Sequence, residues 1–129
     1  MNKILVEVSL GELLDKISIL EIKSEKIKDP EKLNFINDEY NILKDQLNTN
    51  IKNYSEIEIL YNSLKEINSK LWAIEDDKRL CEKNSDFGEK FIKLSRDVHF
   101  LNDERAKLKL EINNKTGSKI KEIKEYTKY

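Results

Sequence analysis

The sequence has few of the residues that make tight turns and crosslinks. Its 129 residues include three glycines, one proline and one cysteine. A β-sandwich or barrel needs turn residues roughly every 8–12 positions, and a Rossmann or P-loop domain needs clustered glycines around a phosphate. These classes are therefore excluded. A disulfide framework is excluded as well, because Cys81 has no second cysteine to pair with.

Long hydrophobic runs and an excess of one charge are also missing. The longest aliphatic run is Ile4-Leu5-Val6, far short of the roughly 20 apolar residues of a membrane helix, and the N-terminus lacks the pattern of a signal peptide. The 24 Lys and Arg are balanced by 25 Asp and Glu, whereas nucleic-acid-binding domains usually carry a basic stripe. We therefore expect a cytoplasmic protein with no nucleic-acid partner and no membrane partner.

What the sequence does contain is charged and apolar residues at helical spacing, each class making up 38% of the chain. Ser9, Ser55 and Asp86 each precede a glutamate by three residues, which is the spacing of a helix start signal. Asp29-Pro30 can end one helix and cap the next, and Gly117 is a natural stop. These signals predict four helices.

The two later helices carry an apolar repeat of three and four residues, which is typical of coiled-coil-like packing. Because these helices are of equal length and joined by a short connection, we predict a long antiparallel hairpin. In its first helix the repeat consists of Ile57, Leu60, Leu64, Ile67, Leu71 and Ile74.

The predicted fold is all-α, with two antiparallel helical hairpins, one of them long and coiled-coil-like, forming a single-domain bundle. We assign residues 1–8 to a short extended N-terminal segment, 9–54 to the first hairpin, 55–114 to the long hairpin and 115–129 to a basic tail. The tail is either a frayed helix or a strand that pairs with residues 3–8. A core this thin favours burial of further apolar surface in a dimer or against a helical protein partner.

The candidate site is a polar edge of the long hairpin. Arginine can bind a carboxylate or phosphate with a two-pronged fork that lysine lacks. This lysine-rich chain has only three arginines, all in its second half together with the only tryptophan. When the hairpin folds near Ser85, the candidate residues of its first helix and those of its second helix lie opposite each other. The candidate ligand-binding residues are Trp72, Glu75, Arg79, Arg96, His99, Asn102, Asp103 and Arg105.

Two interpretations of this polar edge remain open. It either binds a small anion, or it is an ion-pair network that sets the register of the helices. We favour the network, because structural networks also cluster charges. Arg105 is central to both interpretations, since it occupies the apolar repeat and there needs a carboxylate, a ligand anion or a path to solvent.

The sequence predicts no metal site and no cofactor, and it assigns no catalytic residue. His99 has no second histidine or cysteine at ligand spacing. Cys81 continues an apolar stripe, where a free buried cysteine is the usual outcome. Acidic residues are favoured in the first turn of a helix, and this explains the pair Glu12 and Asp15 better than a Mg²⁺ site does.

Three stretches of the chain resemble a family of small all-helical bacterial proteins without an assigned activity. They are VEVSLGELLDKISILEIK at residues 6–23, LWAIED at 71–76 and VHFLNDERAK at 98–107. The resemblance covers nearly the whole chain. It implies a domain of unknown function that is sometimes encoded near sugar and surface-polysaccharide genes, and it implies no catalytic residues.

A second resemblance is to helical chorismate mutases, which are small charged bundles that bind a dicarboxylate through cationic side chains. Their first long helix usually supplies an arginine, whereas the corresponding cations here are all lysines, and a shared fold class does not imply a shared function. The sequence therefore favours a non-enzymatic helical interaction or accessory module. A small-anion-binding protein or enzyme is the alternative, and a chorismate-mutase-like enzyme is a remote one.

Overall fold

The computed structural model describes residues 3–119, 122–125 and 127–129, and these form helices and loops without any strand. The helices are α1 (Leu10–Lys26), α2 (Pro30–Asn50), α3 (Ser55–Lys83) and α4 (Glu89–Thr116). The predicted all-α bundle is therefore confirmed. No helix in the described part of the chain is both long and apolar enough to cross a membrane.

Three of the predicted helix boundaries are formed by the residues that the sequence indicates. The Ser9 side chain accepts the amide of Glu12, and the Asp29 side chain accepts an amide just after Pro30. Gly117 ends α4 with a φ of 68°, a left-handed conformation that glycine adopts without steric cost. These caps work through contacts within a few residues, so local sequence is enough to predict them.

Two other boundaries differ from the prediction. Asp86 does not cap α4, because its side chain accepts the amide of Gly88 in a turn ahead of the helix, which then begins at Glu89. Ser55 is the first residue of α3, but its hydroxyl donates to Asn53 and caps nothing. In both cases a side-chain contact two residues away replaces the predicted capping bond.

Helix α1 is the centre of the bundle. It packs against α2, α3 and α4, and α3 packs along α4, whereas α2 packs closely only against α1. Leu14 and Ile17 of α1 are fully buried in one cluster with Leu64 of α3 and Ile112 of α4, and Leu47 is the only fully packed contribution of α2. The core therefore lies where α1 crosses the α3–α4 hairpin.

The hairpin is longer than the helix that covers it. α3 and α4 have 29 and 28 residues, against 17 in α1. At about 1.5 Å per residue these lengths are about 43 Å and 26 Å. The core cluster uses α3 from Ile57 to Leu64 and α4 from Leu108 to Ile112. Residues 74–100, which we call the distal hairpin, extend beyond that cluster.

The described part of the tail lies along α4 without helix or strand, so neither predicted form of the tail is seen at residues 122–125 and 127–129. Glu122 pairs with Lys109 at 2.8 Å. Tyr129 donates a hydrogen bond to Asp103 and packs its ring against Phe100. Two residues that suggested a helical or strand periodicity, Ile120 and Tyr126, lie outside the described residues.

Candidate functional site

Arg105 is held by a buried carboxylate on α1. Its Nε donates to Asp15 Oδ1 at 2.9 Å and its Nη2 donates to Oδ2 at 2.5 Å. This two-pronged pairing is the strongest geometry available to arginine. The Asp15 side chain is 2% exposed and that of Arg105 is 29% exposed. The structure therefore supplies a carboxylate for the cation that occupies the apolar repeat.

Asn68 and Ser18 complete this polar network. Asn68 Nδ2 donates to Asp15 Oδ1 at 2.9 Å and to Ser18 Oγ at 2.8 Å, and Ser18 Oγ donates to the Asp15 carbonyl at 2.7 Å. Because an ionised carboxylate only accepts, the contact with Asp15 fixes which way the Asn68 amide points. Its Oδ1 is therefore turned away from Asp15.

The network keeps the Asp15 carboxyl ionised. Burial alone would raise the pKa of Asp15, but hydrogen bonds from Arg105 and Asn68 and the charges of Arg105 and Lys109 outweigh burial and hold that pKa below its usual value. The hydrogen bonds to Asp15 in turn raise the pKa of Arg105. Both side chains therefore carry full charge at neutral pH.

The first-turn role predicted for Asp15 is wrong. Asp15 lies beyond the first turn of α1, on the buried face next to Leu14, and its carboxylate reaches α3 and α4. Its partner Arg105 is 90 positions away in the sequence. The only sequence signal for this pairing on α1 was a charged residue, Asp15, on the apolar face of the helix. On α4 the signal was a cation, Arg105, at a position where the repeat predicts an apolar residue.

A second polar junction joins the start of α1 to α4. Lys109 Nζ donates to Glu12 at 2.6 Å and to Glu122 at 2.8 Å. The amide of Gly11 donates to Asn113 Oδ1 at 2.7 Å. A Cβ on Gly11 would lie 2.5 Å from the Lys109 carbonyl oxygen, so the two helix backbones meet here at a distance that only glycine allows.

A cleft of about 350 Å³ opens beside the Asp15–Arg105 pair, and we call it the Trp72 cleft. Its volume lies within the range of small-molecule sites, roughly 300–1,000 Å³. All three helices that surround Asp15 contribute to its walls. The lining residues are Ile19, Ile22, Asn68, Leu71, Trp72, Glu75, Asp76, Arg79 and Arg105.

The cleft brings together half of the predicted site residues. Trp72, Glu75, Arg79 and Arg105 all line it. Within the described part of the chain, none of the side chains of Trp72, Glu75 and Arg79 has an ion pair or hydrogen bond, so all three are open to a ligand. Asn68 and Asp76 also line the cleft, although they were not among the predicted binding residues.

The other predicted residues do not line this cleft. Arg96 and His99 are exposed on α4, and Asn102 is half-buried. Asp103 lines a separate groove with the tail, where it accepts a hydrogen bond from Tyr129. These residues lie at about the same height along the hairpin as Trp72. They lie on a different side of the hairpin from the one that α1 covers. Within the described ranges, no group of three or more His, Cys, Asp or Glu side chains is placed to hold a metal ion.

A comparison with protein families places the chain in one of them. Residues 4–129 match a family described as a family of unknown function, DUF6165. Since the match covers nearly the whole chain, the protein belongs to this family. No curated protein and no solved structure matches the chain.

Proposed function

We propose that this member of a family of unknown function is a non-enzymatic helical interaction module that assembles with a second copy of itself. The distal hairpin is the observation that carries the proposal. It extends beyond the core, and its side chains Leu80, Phe87 and Ile92 are 52%, 52% and 55% exposed. Fully burying an apolar side chain of this size is worth roughly 1.5–3 kcal/mol, so covering the half that is exposed stabilises an assembly by roughly 1 kcal/mol each.

The charges of the distal hairpin allow a second copy as the partner. Residues 74–100 hold six Lys and Arg and seven Asp and Glu, and the two signs are interspersed along both helices. A surface that is nearly neutral and carries both signs does not repel its own copy, so two hairpins can pack in opposite directions about a two-fold axis. The same arrangement covers the exposed apolar side chains of both copies.

Light scattering coupled to size-exclusion chromatography tests this proposal. The chain has a mass of 15.3 kDa, so a dimer is expected at twice that value. The double variant Leu80→Glu, Ile92→Glu is expected to elute as a monomer. Leu5→Glu is the matched control, because Leu5 is 82% exposed but lies in the N-terminal segment, and it should leave the dimer intact.

A wild-type protein that stays at 15.3 kDa at the highest soluble concentration would overturn the proposal. So would a dimer that resists the double variant, since the contact would then lie elsewhere. The exposed Phe35 and Ile42 of α2 are the next apolar face to examine in that case. The link to sugar metabolism implied by the resemblance stays a prediction.

A further inference from the structure

We infer that the Trp72 cleft binds a free basic amino acid, with its α-carboxylate at Arg105 and its side-chain cation at Glu75 and Asp76. This binding site does not depend on self-association. The inference rests on three features of the cleft: the unused hydrogen-bonding groups at its buried end, its apolar middle, and the charges at its outer end.

The buried end offers donors and an acceptor side by side. A guanidinium has five N–H groups. Arg105 uses two of them on Asp15, so three remain, and none of these is bound within the described residues. Asn68 is 5% exposed, and its Oδ1 accepts no hydrogen bond from the described chain. An α-carboxylate can accept from Arg105 while the adjacent α-ammonium donates to Asn68 Oδ1.

Arg105 is held in place before any ligand arrives. The two hydrogen bonds that Arg105 donates to Asp15 fix the plane of the guanidinium, and the bond that Asn68 donates to the same carboxylate fixes its amide. Because these side chains are already fixed, the protein loses little further conformational freedom when a ligand binds them, and this favours affinity. The Asp15 charge offsets that of Arg105, so a bare anion gains little from this end alone.

The middle of the cleft is apolar. Ile19, Ile22 and Leu71 line it together with the indole of Trp72. Asn68 and Glu75 are seven residues apart on α3, which corresponds to a rise of about 10 Å. The side chains of Asn68 and Glu75 shorten this separation, and an aliphatic ligand chain of about four carbons spans much of the remainder. Lysine and arginine carry such a chain.

The outer end of the cleft favours a cation. Glu75 and Asp76 lie three and four residues after Trp72, so all three occupy neighbouring positions on the helix surface. A cation there meets two carboxylates and lies beside the indole ring of Trp72. Counting Asp15, Glu75 and Asp76 against Arg79 and Arg105, the cleft has a net charge of −1, which complements the +1 of a basic amino acid.

The fluorescence of Trp72 reports binding directly, because it is the only tryptophan and it lines the cleft. The probes are L-lysine, L-norleucine, which lacks the side-chain cation, and cadaverine, which lacks the carboxylate. We expect saturable binding of L-lysine, with norleucine and cadaverine at least about tenfold weaker, since a charge-assisted hydrogen bond contributes that much. Equal binding of L-lysine and norleucine, or no saturable binding of L-lysine, would overturn the inference.

Variants on one helix locate the site. The double variant Glu75→Gln, Asp76→Asn should weaken L-lysine binding about tenfold and leave norleucine unchanged. Arg79→Gln removes the competing cation and should tighten L-lysine binding. Glu82→Gln, an exposed carboxylate on α3 outside the cleft, is the control and should change nothing. Equal losses in Glu82→Gln and in the double variant would count against a site in the cleft. Circular dichroism confirms that each variant is folded.

Discussion

The Asp15–Arg105 pair gives the sharpest test of how the bundle is held together. The substitution Arg105→Gln removes the cation and leaves a shorter, uncharged polar side chain. Asp15 then keeps only its hydrogen bond from Asn68, with a side chain that is 2% exposed. Removing one partner of a buried pair costs about 3–5 kcal/mol. Because the Arg105 side chain is 29% exposed and partly screened, we expect a loss of about 3 kcal/mol.

The pH dependence of this loss identifies its cause. In the wild type the pKa of Asp15 is below its ordinary value, so the pair stabilises the fold above about pH 4, and that contribution is lost as the pH falls through the folded-state pKa. In Arg105→Gln we expect the pKa of Asp15 to be higher than in the wild type, because burial remains while the hydrogen bonds and charge of Arg105 are lost. Protonation of Asp15 therefore costs the variant less stability than it costs the wild type, so the deficit of the variant relative to the wild type should shrink between neutral pH and about pH 4.

Urea unfolding followed by far-UV circular dichroism, at both pH values, measures this deficit. Asp15→Asn supplies the matched control, because it removes the charge of Asp15 and leaves the Arg105 cation, which is 29% exposed and can turn to solvent. The double variant Asp15→Asn, Arg105→Gln should lose less than the sum of the two single losses, with a coupling of about 1–2 kcal/mol. A loss of unfolding free energy below about 1 kcal/mol in Arg105→Gln would refute a stabilising role for this pair. A deficit that is the same at both pH values would refute it as well.

Two further substitutions test the junction between α1 and α4. Gly11→Ala should destabilise the protein by about 1–3 kcal/mol in thermal or urea unfolding, because the new Cβ would lie 2.5 Å from the Lys109 carbonyl oxygen. Gly88→Ala, where the nearest atom would be 3.5 Å away, is its control, and equal effects would contradict the close approach. Glu122→Gln should cost less than about 1 kcal/mol, because Lys109 keeps Glu12 and the Glu122 side chain is 42% exposed. Greater protease sensitivity of the tail in this variant is the expected readout, and an unchanged digestion rate would argue that the ion pair does not hold the tail.

The helices were predictable because the signals that start and stop them are local. Ser9, Asp29 and Gly117 act on atoms no more than a few residues away, and the apolar repeats define helix faces without knowledge of their partners. Asp86 shows where this reasoning fails. Its side chain can accept an amide two or three residues ahead, and a sequence does not reveal which of the two bonds forms.

The candidate site was only partly predictable, for a geometric reason. Trp72, Glu75 and Arg79 follow one another at helical spacing, so they lie together wherever α3 packs. Arg96 and His99 lie at the same level of the hairpin, yet they do not line the Trp72 cleft. Which side of a two-helix hairpin receives the third helix depends on contacts between residues far apart in the sequence, and the hairpin alone does not indicate that side.

The polar network also explains how α1 finds its place on the hairpin. Apolar repeats are self-similar, so α1 can slide along them by one or two turns and still cover aliphatic side chains. Such a slip would leave the Asp15 carboxylate buried away from Arg105 and Asn68, which costs several kcal/mol. It would also move Gly11 off the Lys109 backbone, where larger side chains do not fit. The network therefore disfavours the wrong registers.

This role in register does not compete with a role in binding. Asp15 uses two of the five N–H groups of Arg105 and leaves the others beside the Trp72 cleft. A ligand there would add hydrogen bonds without breaking the pair. The same buried contact that aligns three helices would hold the guanidinium ready for a carboxylate, so Arg105→Gln should weaken L-lysine binding as well as the fold. The Glu75 and Asp76 variants, which touch no part of the network, separate the two effects.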